Sequence, residues 1–118
     1  LINFIRGINK MTTLIKNSFL AEQIDSAIAL GEQQTKGMLL DLAGHLSHLE
    51  GVEFEPIESG AIFKSTTAVR TRYIMVINKK IVVDTLWHDG SCDTESTTFD
   101  LDGKRLLRLL SAMELVHA

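Results

Sequence analysis

Residues 69–88 carry the clearest alternation in the chain: two β-branched, aromatic-containing runs flank the short polar segment Asn78-Lys79-Lys80. Runs of this kind around a turn predict a β-hairpin. A three-residue loop sets Ile77 opposite Ile81, Met75 opposite Val83, Tyr73 opposite Thr85 and Thr71 opposite Trp87, which gives one coherent apolar face. A two-residue loop sets Tyr73 opposite Asp84 and mixes the faces. The three-residue register is therefore expected, although it asks Lys80 to take a left-handed backbone that asparagine or glycine adopts more readily. It sends Tyr73, Met75, Ile77, Ile81, Val83 and Trp87 into the core, and Arg70 and Arg72 to the opposite face.

Upstream the period changes to that of a helix. Leu20, Ile24, Ala27 and Ile28 form a stripe behind Ser18, a plausible N-cap, and Gly31 is a natural stop. Met38, Leu39, Leu42, Leu46 and Leu49 form a second stripe ended by Gly51. Two helices over residues 18–30 and 33–50 are predicted, with one bent helix across Gly31 and Gly37 as the alternative. Gly44 inside the second costs about 1 kcal/mol against alanine, which suggests a close neighbour. Leu1, Phe4, Ile5, Ile8, Met11 and Ile15 also share a helical stripe. Residues 1–16 thus read as an N-terminal helical extension, its place in the native protein open because the chain starts at Leu1 and its first methionine is Met11.

After Gly51, Val52, Phe54 and Pro56 alternate with Glu53 and Glu55. This is a half-buried strand that Pro56 assigns to an edge or to a strand end. Glu58-Ser59-Gly60 is a turn and Ala61-Ile62-Phe63 starts the next strand. Residues 89–98 read as a polar loop leading into a short strand at 97–101. Asp102 then caps a helix through Leu106, Leu107, Leu109, Leu110, Met113 and Leu115. Its apolar surface exceeds half its circumference, so it fits a groove between sheet and helices or a second copy of the chain. The expectation is a single α+β domain over residues 1–118, in order α-α-β-β-β-β-α. An antiparallel sheet of about four strands would have helices on one face.

Composition narrows this little. The 118 residues are 45% hydrophobic and 23% charged, ordinary for a globular domain. A single cysteine, Cys92, excludes an intrachain disulfide and fits a reducing compartment. With no apolar run near the ~20 residues of a membrane span and no signal-peptide core, the expected location is cytoplasmic. The net charge is −3, and its sign alternates along the chain. Arg70, Arg72, Lys79 and Lys80 form a basic block between acidic stretches at 17–68 and 81–103. That layout suits complementarity within a fold and weighs against a nucleic-acid partner, which wants a continuous basic surface. The cationic stripe of residues 1–16 resembles an interfacial helix, but packing on the body or on a dimer partner outweighs membrane association.

Several constellations carry candidate chemistry. Asp41, His45 and His48 stand at i, i+4 and i+7, a spacing that can ligate zinc, nickel or copper, yet no fourth ligand is evident. A solvated polar face is the simpler account. His88 and Cys92 invite a thiol–imidazole pair, but Asp89, Asp93 and Glu95 surround the cysteine with charge that disfavours a thiolate. The acids of 84–102 miss the spacing of a calcium loop. Glu53 and Glu55, about 7 Å apart on one strand face, could serve as paired carboxylates. A cross-strand charge ladder with Arg70 and Arg72 accounts for them more simply. Arg70, Arg72, Lys79 and His88 are the candidates for binding a small anion, because guanidinium forks suit carboxylate or phosphate.

No phosphate loop, nucleophile elbow, metal knuckle or dinucleotide fingerprint is present, and no cofactor is implied. The reading is a non-catalytic binding or interaction protein that self-associates as a homodimer, resting on surplus apolar surface at 1–15 and 104–116. The alternatives are a small-anion-binding protein or minor enzyme with a pocket between sheet and helices, and an inhibitor of another protein.

Overall fold

The computed structural model describes residues 18–89 and 94–117. The expected extension over 1–16, the side chain of Ser18, and Cys92 with Asp93 lie outside the described residues. Three helices and five strands follow in order: α1 (Ser18–Leu30), α2 (Glu32–Leu46), β1 (Val52–Ile57), β2 (Gly60–Thr66), β3 (Arg70–Ile77), β4 (Lys80–Trp87), β5 (Thr94–Asp100) and α3 (Gly103–His117). The strands form one antiparallel meander in sequence order. The α+β class is as expected, with one strand more than the four anticipated. Residues 94–96, expected as loop, extend the fifth strand. Its Thr94-Glu-Ser-Thr-Thr98 stretch is polar but β-branched, a composition suited to a sheet edge in water.

Gly31 separates α1 from α2 with a φ of 126°, a left-handed backbone that favours glycine. The corner is held by Thr35, whose hydroxyl donates to Gly31 O at 2.8 Å. This decides for two helices over one bent helix. The predicted stripes are the buried faces: Ile24 on α1 and Met38, Leu39, Leu42 and Leu46 on α2. They pack on Phe63, Ile74, Val76 and Ile81 of the sheet, and on Leu106, Leu110 and Met113 of α3. Pro56 lies in β1, an edge strand, as its missing donor requires.

Asp102 caps α3 as predicted, accepting from Arg105 N at 3.0 Å. A second carboxylate, absent from the local pattern, does the same from α1: Gly103 N donates to Asp25 Oδ1 at 2.8 Å. Two of the four orphan amides at the helix start are thereby satisfied. Gly103 lets α3 come this close, since a Cβ there would stand 2.3 Å from Ala21 O. Gly44 is different. It is exposed and a Cβ would meet nothing within 4 Å, so the close neighbour inferred for it is not found among the described residues.

The hairpin register differs from the expected one. Ile77 pairs with Lys80 and Tyr73 with Asp84, so the loop has two residues, Asn78 and Lys79. Both have positive φ, 49° and 64°, the backbone of a type I′ turn, which matches the twist of the flanking strands. Shifting a register by one residue exchanges the faces of a strand. On β4, Ile81 and Val83 stay on the helix side as expected. On β3, Ile74 and Val76 replace Tyr73, Met75 and Ile77 there. Tyr73, Met75 and Ile77 lie on the other face, and Arg70 and Arg72 move to the helix side with Trp87.

Gly60 opens β2 against the backbone of β3, where an added Cβ would stand 1.8 Å from Val76 O. Carbonyl backbone in mid-sheet cannot yield, so Gly60→Ala should cost ~3 kcal/mol or more. Gly44→Ala should instead stabilise by about 0.5–1 kcal/mol through helix propensity alone. Urea midpoints of the two variants should move in opposite directions, and equal shifts would contradict these environments.

Candidate functional site

All three helices lie on the sheet face carrying Phe63, Ile74 and Ile81. No described helix covers the other face. Strand pairing arranges that open face in rows across the sheet. One row reads Glu53, Lys64, Tyr73, Asp84, Ser96, and the next reads Glu55, Ile62, Met75, Val82, Thr98. Ile62, Met75 and Val82 are contiguous and half-buried. Leu86, above them, is 44% exposed. Ile57 and Ile77 continue the apolar surface below. A sheet with one wet face usually alternates apolar-in and polar-out, and this face departs from that rule along its middle strands.

Its charges are few and ordered. Glu53 and Glu55 lie on the β1 edge. Lys64 on β2 stands 3.8 Å from Glu53 and 5.9 Å from the Tyr73 ring centroid. Across Tyr73 lies Asp84, whose Oδ1 is buried with no hydrogen-bond partner among the described residues. Such an oxygen costs about 1–3 kcal/mol unless something satisfies it. Lys80 donates to Asp100 at the far corner.

The helix-side face turns polar beyond the last helical turn. Arg72 Nε donates to Thr85 Oγ1 at 3.1 Å. Arg70 stacks 5.7 Å from the Trp87 ring centroid. In the same row as Arg72, Ser65 Oγ lies 2.6 Å from His117 Nε2 at the end of α3. The His117 ring closes over Gly51, where a Cβ would come within 2.7 Å of it. Burial lowers the Arg72 guanidinium pKa from its ordinary value, the neighbouring Arg70 charge lowers it further, and Glu95 opposes both. His88 is fixed by two contacts: Nε2 lies 2.8 Å from Thr71 Oγ1 and Nδ1 3.3 Å from Ala68 O.

The four candidates for anion binding do not converge. Arg70, Arg72 and His88 stand at one end of the hairpin. Lys79 occupies the turn at the other, ~23 Å from Arg72 at ~3.3 Å per strand residue. The charge ladder expected between Glu53/Glu55 and Arg70/Arg72 does not form, because β2 separates the two strands and the pairs lie on opposite faces. Asp41, His45 and His48 are all exposed, and α2 ends at Leu46, so His48 leaves the helical spacing. Among the described residues no three His, Cys, Asp or Glu side chains are grouped to hold a metal. No described helix is long and apolar enough to cross a membrane.

Lys79 does border a cleft of about 250 Å³ at the turn end of the sheet, formed by Gly31, Glu32, Thr35 and Lys36 of the helical corner with Ser59, Gly60 and Asn78. Sequence reasoning missed Lys36 and Asn78 here, and Lys64 and Asp84 on the open face. Asn78, a residue that tolerates a left-handed backbone, was the signal available for the turn. Lys64 and Asp84 become meaningful only once strand order places them either side of Tyr73. No family model, curated protein or solved structure matches the chain.

The Lys80–Asp100 pair gives a direct check on the geometry of this face. The hydrogen bond from Lys80, then its charge, hold the Asp100 carboxyl below the usual range, against a small opposing effect of burial. Because the folded value is depressed, any stabilisation is present above the ordinary carboxylate pKa and lost as pH falls through the folded one. A carboxyl-carbon NMR titration should show Asp100 below the ordinary range in the native chain and back within it in Lys80→Met. An unchanged midpoint in that variant would exclude Lys80 as the cause.

Proposed function

We propose that this protein is a non-catalytic interaction protein whose binding surface is the helix-free face of its sheet. The supporting observation is the contiguous Ile62, Met75 and Val82 patch at the centre of this face, with Tyr73 in the next row and Ile77 continuing it on the other side. Apolar surface gathered in one patch marks a binding site, whereas single exposed side chains do not. Phe19, Leu30 and Leu40 are exposed too, but they are spread over two helices. A catalytic reading has less to rest on, since Arg72, Thr85, Ser65 and His117 are engaged in hydrogen bonds with one another in pairs.

A second reading, a small-anion-binding protein, is favoured by the cleft at the turn end. Lys36 and Lys79 border it together with polar groups of the helical corner. Glu32 weakens that reading, because it stands 3.8 Å from Lys36 and already offsets its charge.

The first reading is tested by the double substitution Met75→Lys, Val82→Lys in the full chain. Both side chains lie outside the core, so the thermal midpoint should fall by no more than about 4 °C. Any complex the protein forms should dissociate. Retention of the complex, or a collapse of the midpoint that marks the two residues as core, would overturn it. The second reading predicts a thermal shift in phosphate or citrate that Lys36→Ala, Lys79→Ala abolishes, reaching about 2.7 kcal/mol at 100 times the dissociation constant.

A further inference from the structure

We infer that the occupant of the open face is a second copy of this chain, docked about a two-fold axis that runs close to β3. The inference rests on the interaction reading above and adds the partner and its orientation. Two sheets packed face to face keep their strands within about 30° of each other. A two-fold axis in the interface can then run along the strands or across them. An axis across the strands lays β1 on β1 of the partner, so the Glu53/Glu55 pair of one copy meets the same pair of the other. Like charges brought together in this way are repelled.

An axis along β3 lays β2 of each copy over β4 of the other and leaves the rows in step. Lys64 then faces the partner's Asp84, twice by symmetry, because the two residues sit one strand either side of Tyr73 in the same row. In the next row Ile62 faces the partner's Val82, and Met75 meets its own counterpart on the axis. The acids of β1 fall on Ser96 and Thr98 of β5, which carry no charge. Asp84, only half-buried on this face, thereby gains a cation from the partner.

The area is adequate. Five strands at ~4.8 Å spacing and six residues at ~3.3 Å give a footprint of ~500 Å² per copy. The pair therefore buries at least ~1,000 Å², the lower limit for a specific interface. A central aliphatic cluster rimmed by charged and hydroxyl side chains is also the usual anatomy of such surfaces.

The geometry is tested by charge reversal in the full chain, read by sedimentation velocity with circular dichroism as the check on folding. Native protein should sediment as a dimer. Lys64→Glu and Asp84→Lys should each be monomeric, since each sets like charges face to face twice. Mixed in equal amounts, the two variants should recover the dimer, because every cross-pair is then opposite in sign. A second measurement does not depend on those variants folding. In a Cys92→Ser background, mild oxidation should cross-link Tyr73→Cys, which lies on the axis, and leave Thr98→Cys uncross-linked.

A native chain that is monomeric at all concentrations overturns the second copy as occupant. So do single variants that remain dimers, a mixture that does not recover, and cross-linking at position 98 in place of 73. The wider reading fails separately, when Met75→Lys, Val82→Lys also leaves every other association of the protein intact.

Discussion

Two adjacent residues with left-handed backbone, Asn78 and Lys79, hold the sheet in its register, and most of the molecule depends on that turn. Asparagine accepts a positive φ at small cost through its short polar side chain, whereas lysine does so with strain of order 1 kcal/mol. The strain is tolerated because the tight turn sets β3 and β4 in step along their full length. With that register Ile74 and Val76 reach the helices beside Ile81. Had the loop held one residue more, Tyr73 and Met75 would have turned inward. The space between sheet and helices, filled now by Phe63 with aliphatic and methionine side chains, would then have had to take a phenol and a further thioether.

The turn also determines what the surface looks like. By sending Tyr73, Met75 and Ile77 outward it builds an apolar centre on a face that no described helix covers. By sending Arg70 and Arg72 inward it places two guanidinium groups at the rim of the core, where Thr85 and Trp87 engage them. Both consequences come from a single choice of loop length. Each departs from the usual sheet with one apolar and one wet face.

The elements with strong periodicity were legible in the sequence. The stripe Met38 to Leu46 buries as read and Ile24 buries with Ala27 and Ile28 half-buried beside it, Gly31 stops a helix, and Asp102 caps one. Period and caps are local, so one stretch of chain carries them. The hairpin was legible as a hairpin but not in register. Both faces of β3 carry apolar residues, and the alternation could not say which set was inside. The start of the fifth strand, residues 94–96, was hidden for a related reason, because polar residues pair in an edge strand without needing burial. The Lys64–Tyr73–Asp84 row was invisible, because its members come from three strands and meet only through the order of the meander. Asp25 reaching Gly103 from the other end of the domain had no local signal at all.

That last contact has a consequence for how the chain is made. The domain's first described helix is sealed by its last: α3 inserts Leu106 and Leu110 beside Ile24 and takes one of its caps from Asp25. A ribosome delivers residues in order, at roughly 5–20 per second. For the interval in which the strands have emerged and α3 has not, Ile24 and its neighbours lack the final layer of their core. The core that α1 and α2 form with the nascent sheet is then still open on the side that α3 will occupy. The order of the elements thus makes completion of the final helix the step that closes the interior.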